Sequence, residues 1–217
     1  MNRLEITKDG SPTLYSEVFR QTYHSIHGAL SESLHVFIKH GLEDVCQRKK
    51  KISILEMGFG AGLNAALTWQ YAEMHSLDIR YVTIEKFPIS EEVSAQFITK
   101  DPKLNAYLAQ LNKAVWGLNH EFPHFTFQKV KADWVDIKRT HPIDLIYYDA
   151  FSPGAQPELW TEDLFKKMYD LLSPEGLLTT YCAQGQVKRN LKNAGFIVES
   201  PPGPLRKREM TVARVVR

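Results

Sequence analysis

One stretch of the sequence decides the fold: Ile54-Leu55-Glu56-Met57-Gly58-Phe59-Gly60-Ala61-Gly62-Leu63-Asn64. Its first residues are apolar and of strand length, and a helical pattern starts at Leu63. Between them stands a Gly-x-Gly-x-Gly turn. Residues without Cβ can take positive φ and let a ligand approach the backbone, and the following helix offers free N–H donors. The stretch therefore predicts a strand, a ligand-binding turn and a helix.

Outward from this turn, apolar runs of strand length alternate with helical patterns. The predicted strands are 52–57, 79–85, 125–130, 143–149 and 177–182. The predicted helices are 25–46, 63–74, 90–98, 103–116, 161–172 and 185–194, with a turn at 173–176. This alternation indicates a parallel sheet with helices on both faces. Two short β-rich runs near the end, 196–199 and 209–216, are expected to form an antiparallel pair at the sheet edge.

Length and composition limit the class of protein. The 217 residues, 43% hydrophobic and 24% charged, are typical of one globular domain, with a helical N-terminal segment expected at about 1–50. Cys46 and Cys182 are too few and too far apart for a disulfide framework or a zinc pair. No apolar run has the length of a membrane span or signal peptide. We therefore expect a soluble cytoplasmic protein.

Acidic residues follow the predicted strands at the edge where the glycine turn lies. Glu85 ends the second strand about 20 residues after the glycines, where a carboxylate conventionally binds ribose hydroxyls. Glu56 heads the turn, Asp133 follows the third strand and suits an adenine amino group, and Asp149 ends the fourth. These carboxylates would repel a pyrophosphate but suit a ligand with an ammonium and a sulfonium group. S-adenosylmethionine is such a ligand, although a turn that merely closes a strand tightly is the alternative.

Asp149 is the candidate for chemistry on an amine. It ends a central strand and is followed by an aromatic-Ser-Pro turn. A free alkylamine is mostly protonated near neutral pH, so a methyl acceptor must lose a proton. Asp149 could accept that proton or only orient the ammonium, and the sequence leaves both roles open. Phe151 and Trp160 could stack on a base, or could belong to the core.

Five motifs occur in the order found in one known family. They are Glu56-Met-Gly-Phe-Gly-Ala-Gly-Leu-Asn64, Glu85-Lys-Phe-Pro88, Asp149-Ala-Phe-Ser-Pro153, Pro157-Glu-Leu-Trp-Thr161 and Lys207-Arg-Glu-Met210. Together they resemble the methyltransferase domain of the bifunctional tRNA-modifying MnmC enzymes. The resemblance implies a class I Rossmann-like methyltransferase, with a mostly parallel seven-stranded sheet and an antiparallel C-terminal edge pair.

The resemblance also implies an activity and a set of site residues. The activity is S-adenosylmethionine-dependent methylation of the aminomethyl group on a tRNA wobble uridine, here expected without the flavin-dependent oxidase half. Asp149 is the implied catalytic residue. The implied cofactor-binding residues are Glu56, Gly58, Gly60, Gly62, Asn64, Glu85, Lys86, Asp133 and Asp149. The residues expected to bind substrate are Phe151 and Trp160, as stacking rings, and Lys188, Lys207 and Arg208 of the basic C-terminal end, as contacts to tRNA phosphates.

Other functions remain open at this point. An aminopropyltransferase of the spermidine synthase type, a methyltransferase for another amine, and a non-catalytic tRNA-binding module all fit the same fold. The basic C-terminal end favours nucleic acid over a cationic substrate. His120-Glu-Phe-Pro-His124 has the spacing of a zinc motif, but Pro123 breaks the helix that motif needs, so no metal is expected. The oligomeric state is not indicated.

Overall fold

The structure is a computed structural model that describes residues 2–137, 141–204 and 207–217, with every side chain except that of Val135. Its strands are β1 (Asn2–Ile6), β2 (Pro12–Ser16), β3 (Gln21–Thr22), β4 (Lys51–Met57), β5 (Asp78–Glu85), β6 (Asn119–Phe122), β7 (Phe125–Lys131), β8 (Ile143–Tyr148), β9 (Leu172–Thr180), β10 (Ile197–Glu199) and β11 (Thr211–Arg214). Its helices are α1 (29–46), α2 (Leu63–His75), α3 (Glu91–Ala95), α4 (Pro102–Lys113), α5 (Glu162–Leu171) and α6 (Gly185–Asn193). The middle of α1, Leu34–Leu42, is π-helical.

The main sheet has a parallel centre and antiparallel edges. Within the described residues it holds eight strands in the order β10-β11-β9-β8-β4-β5-β7-β6. The five strands predicted from apolar runs are β9, β8, β4, β5 and β7, and neighbours among them run parallel. β10 pairs antiparallel with β11, and β11 with β9. The predicted α/β fold and its C-terminal edge pair are confirmed.

Two details of the sheet differ from the prediction. The described sheet has an eighth strand, β6, which pairs antiparallel with β7. The sequence Asn-His-Glu-Phe is too short and too polar to predict a strand. The segment is a strand because it pairs with β7. The turn predicted at 173–176 lies inside β9 as an irregularity, where Glu175 has a φ of +61° and the pairing with β8 shifts register.

Apolar side chains on both faces of the sheet make two cores. Ile52 and Ile54 of β4 face one core, whereas Leu55 and Met57 face the other. Helices α1, α2 and α4 supply the first core, and α5 and α6 supply the second. Because both faces are covered at the centre of the sheet, β8 is buried along its whole length. The helices of the described residues include none long and apolar enough to cross a membrane.

The N-terminal segment is a small sheet followed by a helix. Strands β1, β2 and β3 form an antiparallel three-stranded sheet, and α1 begins only at residue 29. The helical segment expected at about 1–50 is therefore corrected for its first half. The Asp9-Gly10 turn explains the difference: Gly10 has a φ of +79° and donates its N–H to the carbonyl of Thr7, which reverses the chain.

The order of the strands reverses where β4 lies between β5 and β8. In open α/β sheets, ligands bind at such a reversal, beside the carboxyl ends of the strands. Here the backbone N–H of Asp149 donates to the carbonyl of Met57 at 3.2 Å. The glycine turn after β4 and the carboxylate after β8 are therefore neighbours.

Candidate functional site

A cavity of about 250 Å³ opens at this strand reversal. The glycine turn, the end of β5 and the loop after β8 form its walls. Many of the residues predicted from the sequence line it. They are Gly58, Gly60, Asn64, Glu85, Lys86, Asp133, Asp149 and Phe151.

The glycine turn leaves its backbone open because side chains would not fit. Gly58 has a φ of +87°, and a Cβ added to it would lie 3.0 Å from the carbonyl oxygen of Asp149. Gly60 has a φ of +52°, and its Cβ would lie 3.1 Å from the ring of Tyr23. Both conformations favour glycine, as expected for a turn that a ligand approaches closely. Gly62 begins helix α2 in the left-handed conformation.

The carboxylate of Glu85 joins the end of β5 to the glycine turn. It accepts hydrogen bonds from the N–H of Phe87 at 2.7 Å and the N–H of Gly60 at 3.3 Å. Burial raises the pKa of Glu85, and these backbone donors oppose the change. Beside it, the Lys86 ammonium lies 2.6 Å from Asp133, and this hydrogen bond raises the pKa of Lys86. A carboxylate and an ion pair thus share one wall of the cavity.

Asp149 is held by Asn64 at the other wall. Its Oδ2 accepts a hydrogen bond from Asn64 Nδ2 at 2.8 Å. Burial raises the pKa of Asp149 to about 7, and the negative charge of Glu32 adds to the effect. The Asn64 hydrogen bond and the positive charge of Lys207 act in the opposite direction. The result is a carboxyl group that exchanges a proton near neutral pH.

Glu56 lies beneath the turn rather than on the cavity wall. Its side chain is fully buried, and neither carboxylate oxygen has a hydrogen-bond partner among the described residues. Burial raises the pKa of Glu56 to about 8, with a contribution from the charge of Asp149. The expectation of a second carboxylate facing the ligand is therefore corrected: Glu56 lies below the site, where burial favours its protonated form.

Aromatic rings surround the mouth of the cavity. Phe151 stacks on Phe19 with ring centroids 4.5 Å apart, and Tyr23 meets Phe151 edge-on at 4.9 Å. Trp160, also predicted to stack on a base, lies behind Phe151: its indole is 3% exposed and donates to the Phe151 carbonyl. Trp160 therefore supports the loop after β8. Sequence reasoning missed Phe19, whose only signal is an aromatic residue in the predicted N-terminal segment.

The basic residues predicted to meet phosphate differ in their surroundings. The Lys207 ammonium binds Glu32 and lies 4.6 Å from the centroid of the Tyr181 ring. Lys188 binds Glu209 at 2.5 Å and Ser200 at 2.7 Å. Both lysines thus bind carboxylates within the protein, and of the three residues only Arg208 is exposed. The prediction of three phosphate-binding cations is corrected to this extent.

Comparison with known proteins gives the family. Residues 123–215 match a family model described as S-adenosyl-L-methionine-dependent methyltransferase. The chain is 31% identical to the "tRNA 5-methylaminomethyl-2-thiouridine biosynthesis bifunctional protein MnmC" of Ralstonia nicotianae, over 96% of this chain and 34% of that protein. The MnmC of Cupriavidus necator is 33% identical over 96% of this chain and 33% of that protein. The crystal structure of MnmC2 from Aquifex aeolicus matches with a TM-score of 0.85 and 28% identity, covering 100% of this chain and 72% of that one.

The chain is similar to MnmC proteins over nearly its whole length. It spans about a third of the length of the curated MnmC proteins that it matches. Spermidine synthase from Thermotoga maritima, with 13% identity and a TM-score of 0.62, shares the fold. The family resemblance seen in the five motifs is therefore confirmed.

The residues of the cavity fit S-adenosylmethionine, the cofactor named for the matching family. Gly58 and Gly60 line the cavity without side chains, and the buried Oδ1 of Asn64 has no hydrogen-bond partner among the described residues. Glu85 offers a carboxylate at the end of β5, the place suited to ribose hydroxyls. Within 2–137, 141–204 and 207–217, no group of three or more His, Cys, Asp or Glu side chains could hold a metal.

Proposed function

We propose that this domain transfers a methyl group from S-adenosylmethionine to the aminomethyl group of a tRNA wobble uridine, with 5-aminomethyl-2-thiouridine as the acceptor. The observation that carries the proposal is the position of Asp149, a carboxyl with a pKa raised to about 7 on the same cavity as the glycine turn. The similarity to MnmC proteins supports it. When bound, the cofactor supplies a methyl group on a cationic sulfur.

We assign Gly58, Gly60, Glu85 and the Lys86–Asp133 pair to cofactor binding. The two glycines admit the ligand to the backbone, and the Glu85 carboxylate faces the cavity beside them. Asn64 fixes the carboxylate of Asp149 through its hydrogen bond. In-line displacement depends mainly on holding the nucleophile in line and close to the transferred methyl group. A fixed Asp149 therefore orients the acceptor amine.

Asp149 also removes the proton that blocks the amine. An alkylammonium has a pKa near 10.4, so transferring its proton to an ordinary carboxylate costs about 9 kcal/mol. With the pKa of Asp149 raised to about 7, the cost falls to about 5 kcal/mol. The ammonium proton passes to the carboxylate, and the nitrogen lone pair is then free to form the new N–C bond. Orientation and proton removal are thus two functions of one side chain.

The tRNA would reach the site over the C-terminal edge of the sheet. Arg208 is exposed there, next to the Lys207–Glu32 pair. Because the proposed substrate is a tRNA, we also propose a cytoplasmic location. Because Lys188 and Lys207 are already paired with carboxylates, we expect few phosphate contacts from this edge and a shallow dependence of binding on salt.

The test is methylation of a defined RNA by the purified protein. A tRNA carrying 5-aminomethyl-2-thiouridine at the wobble position is incubated with S-adenosylmethionine, and its nucleosides are analysed by mass spectrometry. We expect a mass gain of one methyl group on that nucleoside, none on the same tRNA with unmodified uridine, and none with Asp149→Asn. A folded protein that binds S-adenosylmethionine but leaves this tRNA unmethylated would refute the proposal, and aminopropylation of a diamine would replace it.

A further inference from the structure

The stacked rings of Phe19 and Phe151 come from distant parts of the chain. Phe19 lies in the turn between β2 and β3, and Phe151 lies in the loop after β8. Their centroids are 4.5 Å apart with 29° between the ring planes. Phe87, whose centroid lies 5.9 Å from that of Phe19, completes an aromatic mouth that lines the cavity.

A hydrogen-bonded pair fixes the N-terminal hairpin to the loop that carries Asp149. Gln21 Nε2 donates to Ser152 Oγ at 2.7 Å, and the N–H of Ser152 donates to Gln21 Oε1 at 3.4 Å. Gln21 is two residues from Phe19, and Ser152 is three residues from Asp149. The position of the Phe19 ring is therefore set relative to the carboxylate and not only by its own small sheet.

These aromatic residues are more exposed than the packing of a core requires. Phe19 is half-buried and Phe87 is 51% exposed. Exposed apolar rings gathered at the mouth of a cavity that also holds carboxylates indicate a ligand with an apolar face. Proteins bind unstacked bases of single-stranded RNA by stacking them on such aromatic side chains.

We propose that Phe19 is a base-stacking residue for the acceptor nucleotide. The wobble base, extruded from the anticodon loop, lies against the Phe19–Phe151 pair while its aminomethyl group reaches Asp149. This inference rests on the proposed function and adds the N-terminal hairpin to the RNA-binding surface. Trp160 contributes to this surface indirectly, since its indole N–H donates a hydrogen bond to the carbonyl of Phe151.

The experiment compares Phe19→Ala, Phe19→Leu, Phe19→Tyr and the control Val18→Ala in the full chain. Steady-state methylation gives kcat and KM for the aminomethyl-bearing tRNA, and calorimetry gives the affinity for S-adenosylmethionine. We expect Phe19→Ala and Phe19→Leu to raise the KM for tRNA about tenfold or more, because both lose the aromatic face. Phe19→Tyr keeps that face and should stay within about threefold of wild type. Val18→Ala should leave KM unchanged.

The outcomes separate this inference from the function on which it rests. Wild-type protein that fails to methylate the tRNA refutes both. Active wild-type protein with an unchanged KM in Phe19→Leu, which keeps the apolar bulk, refutes only the stacking role. A loss of S-adenosylmethionine affinity in Phe19→Leu with an unchanged KM for tRNA would assign Phe19 to the cofactor and also overturn the inference. Melting curves confirm that each variant is folded.

Discussion

Replacing Glu56 with Gln should remove a loss of stability that the wild-type protein suffers as the pH rises. The Glu56 side chain is fully buried beneath the glycine turn, and its oxygens have no hydrogen-bond partner among the described residues. Burial raises the pKa of its carboxyl from an ordinary 4.5 to about 8. Folding therefore favours the protonated form, which the unfolded chain gives up at lower pH.

The size and direction of the effect follow from the two pKa values. Below about pH 4.5 the carboxyl is protonated in both states, and its contribution to stability is fully present. As the pH rises to about 8, the unfolded state ionises first, and the free energy of unfolding falls by up to about 5 kcal/mol. Above that pH the loss levels off. Gln cannot ionise, so Glu56→Gln should become more stable than wild type by the same amount as the pH rises.

Urea unfolding at several pH values measures this difference directly. The free energy of unfolding is determined for wild type, Glu56→Gln and Glu175→Gln between about pH 5 and about pH 9. Glu175 is exposed, so Glu175→Gln controls for the loss of a carboxyl at the surface. The difference between Glu56→Gln and wild type should grow from about pH 5 to about pH 8 and level off above that pH. A difference that stays constant would refute the reasoning that Glu56 folds as a buried neutral acid.

Three further changes test the site. Lys207→Met should lower the free energy of unfolding by about 3 kcal/mol, because it removes the ion-pair partner of the buried Glu32. Lys188→Met should cost much less, because its partner Glu209 is 41% exposed, and equal losses in urea would contradict this. Asp149→Asn should abolish single-turnover methyl transfer with little change in cofactor affinity, and a near-normal rate would remove its proposed role. Gly60→Val should weaken S-adenosylmethionine binding in calorimetry, since its φ of +52° and the adjacent Tyr23 ring leave no room for a side chain; unchanged affinity would exclude the turn as a binding element.

Most of the main sheet could be predicted because its signals are local. Each of the five central strands holds several buried apolar residues within a segment of strand length. The glycine turn after β4 has a sequence that is typical of a strand-turn-helix unit. Helix starts were also readable, as at α4, where Asp101 caps the helix and Pro102 opens it. The N-terminal sheet was missed because its short strands carry mixed polar and apolar residues. Only their pairing with one another makes them strands.

Part of the candidate site could be predicted for the same reason. Glu85, Asp133 and Asp149 follow strands whose carboxyl ends must share one edge of a parallel sheet, so the sequence brings them together. The depth of Glu56 could not be predicted in this way. It stands one residue before Met57 on a strand with both faces covered, and only the packing above it decides that no solvent reaches the carboxyl.

The sequence by itself determined the strands, the glycine turn and the carboxylates at the strand ends, because each depends on residues close together in the chain. Only the tertiary structure determines which charged side chains form ion pairs and which aromatic rings are in contact. Lys207 binds Glu32, which lies 175 residues away in the sequence, and Gln21 binds Ser152, which lies 131 residues away. Such pairs cannot be predicted from a local sequence pattern, since each contact forms only after the sheet has brought its two partners to the same edge.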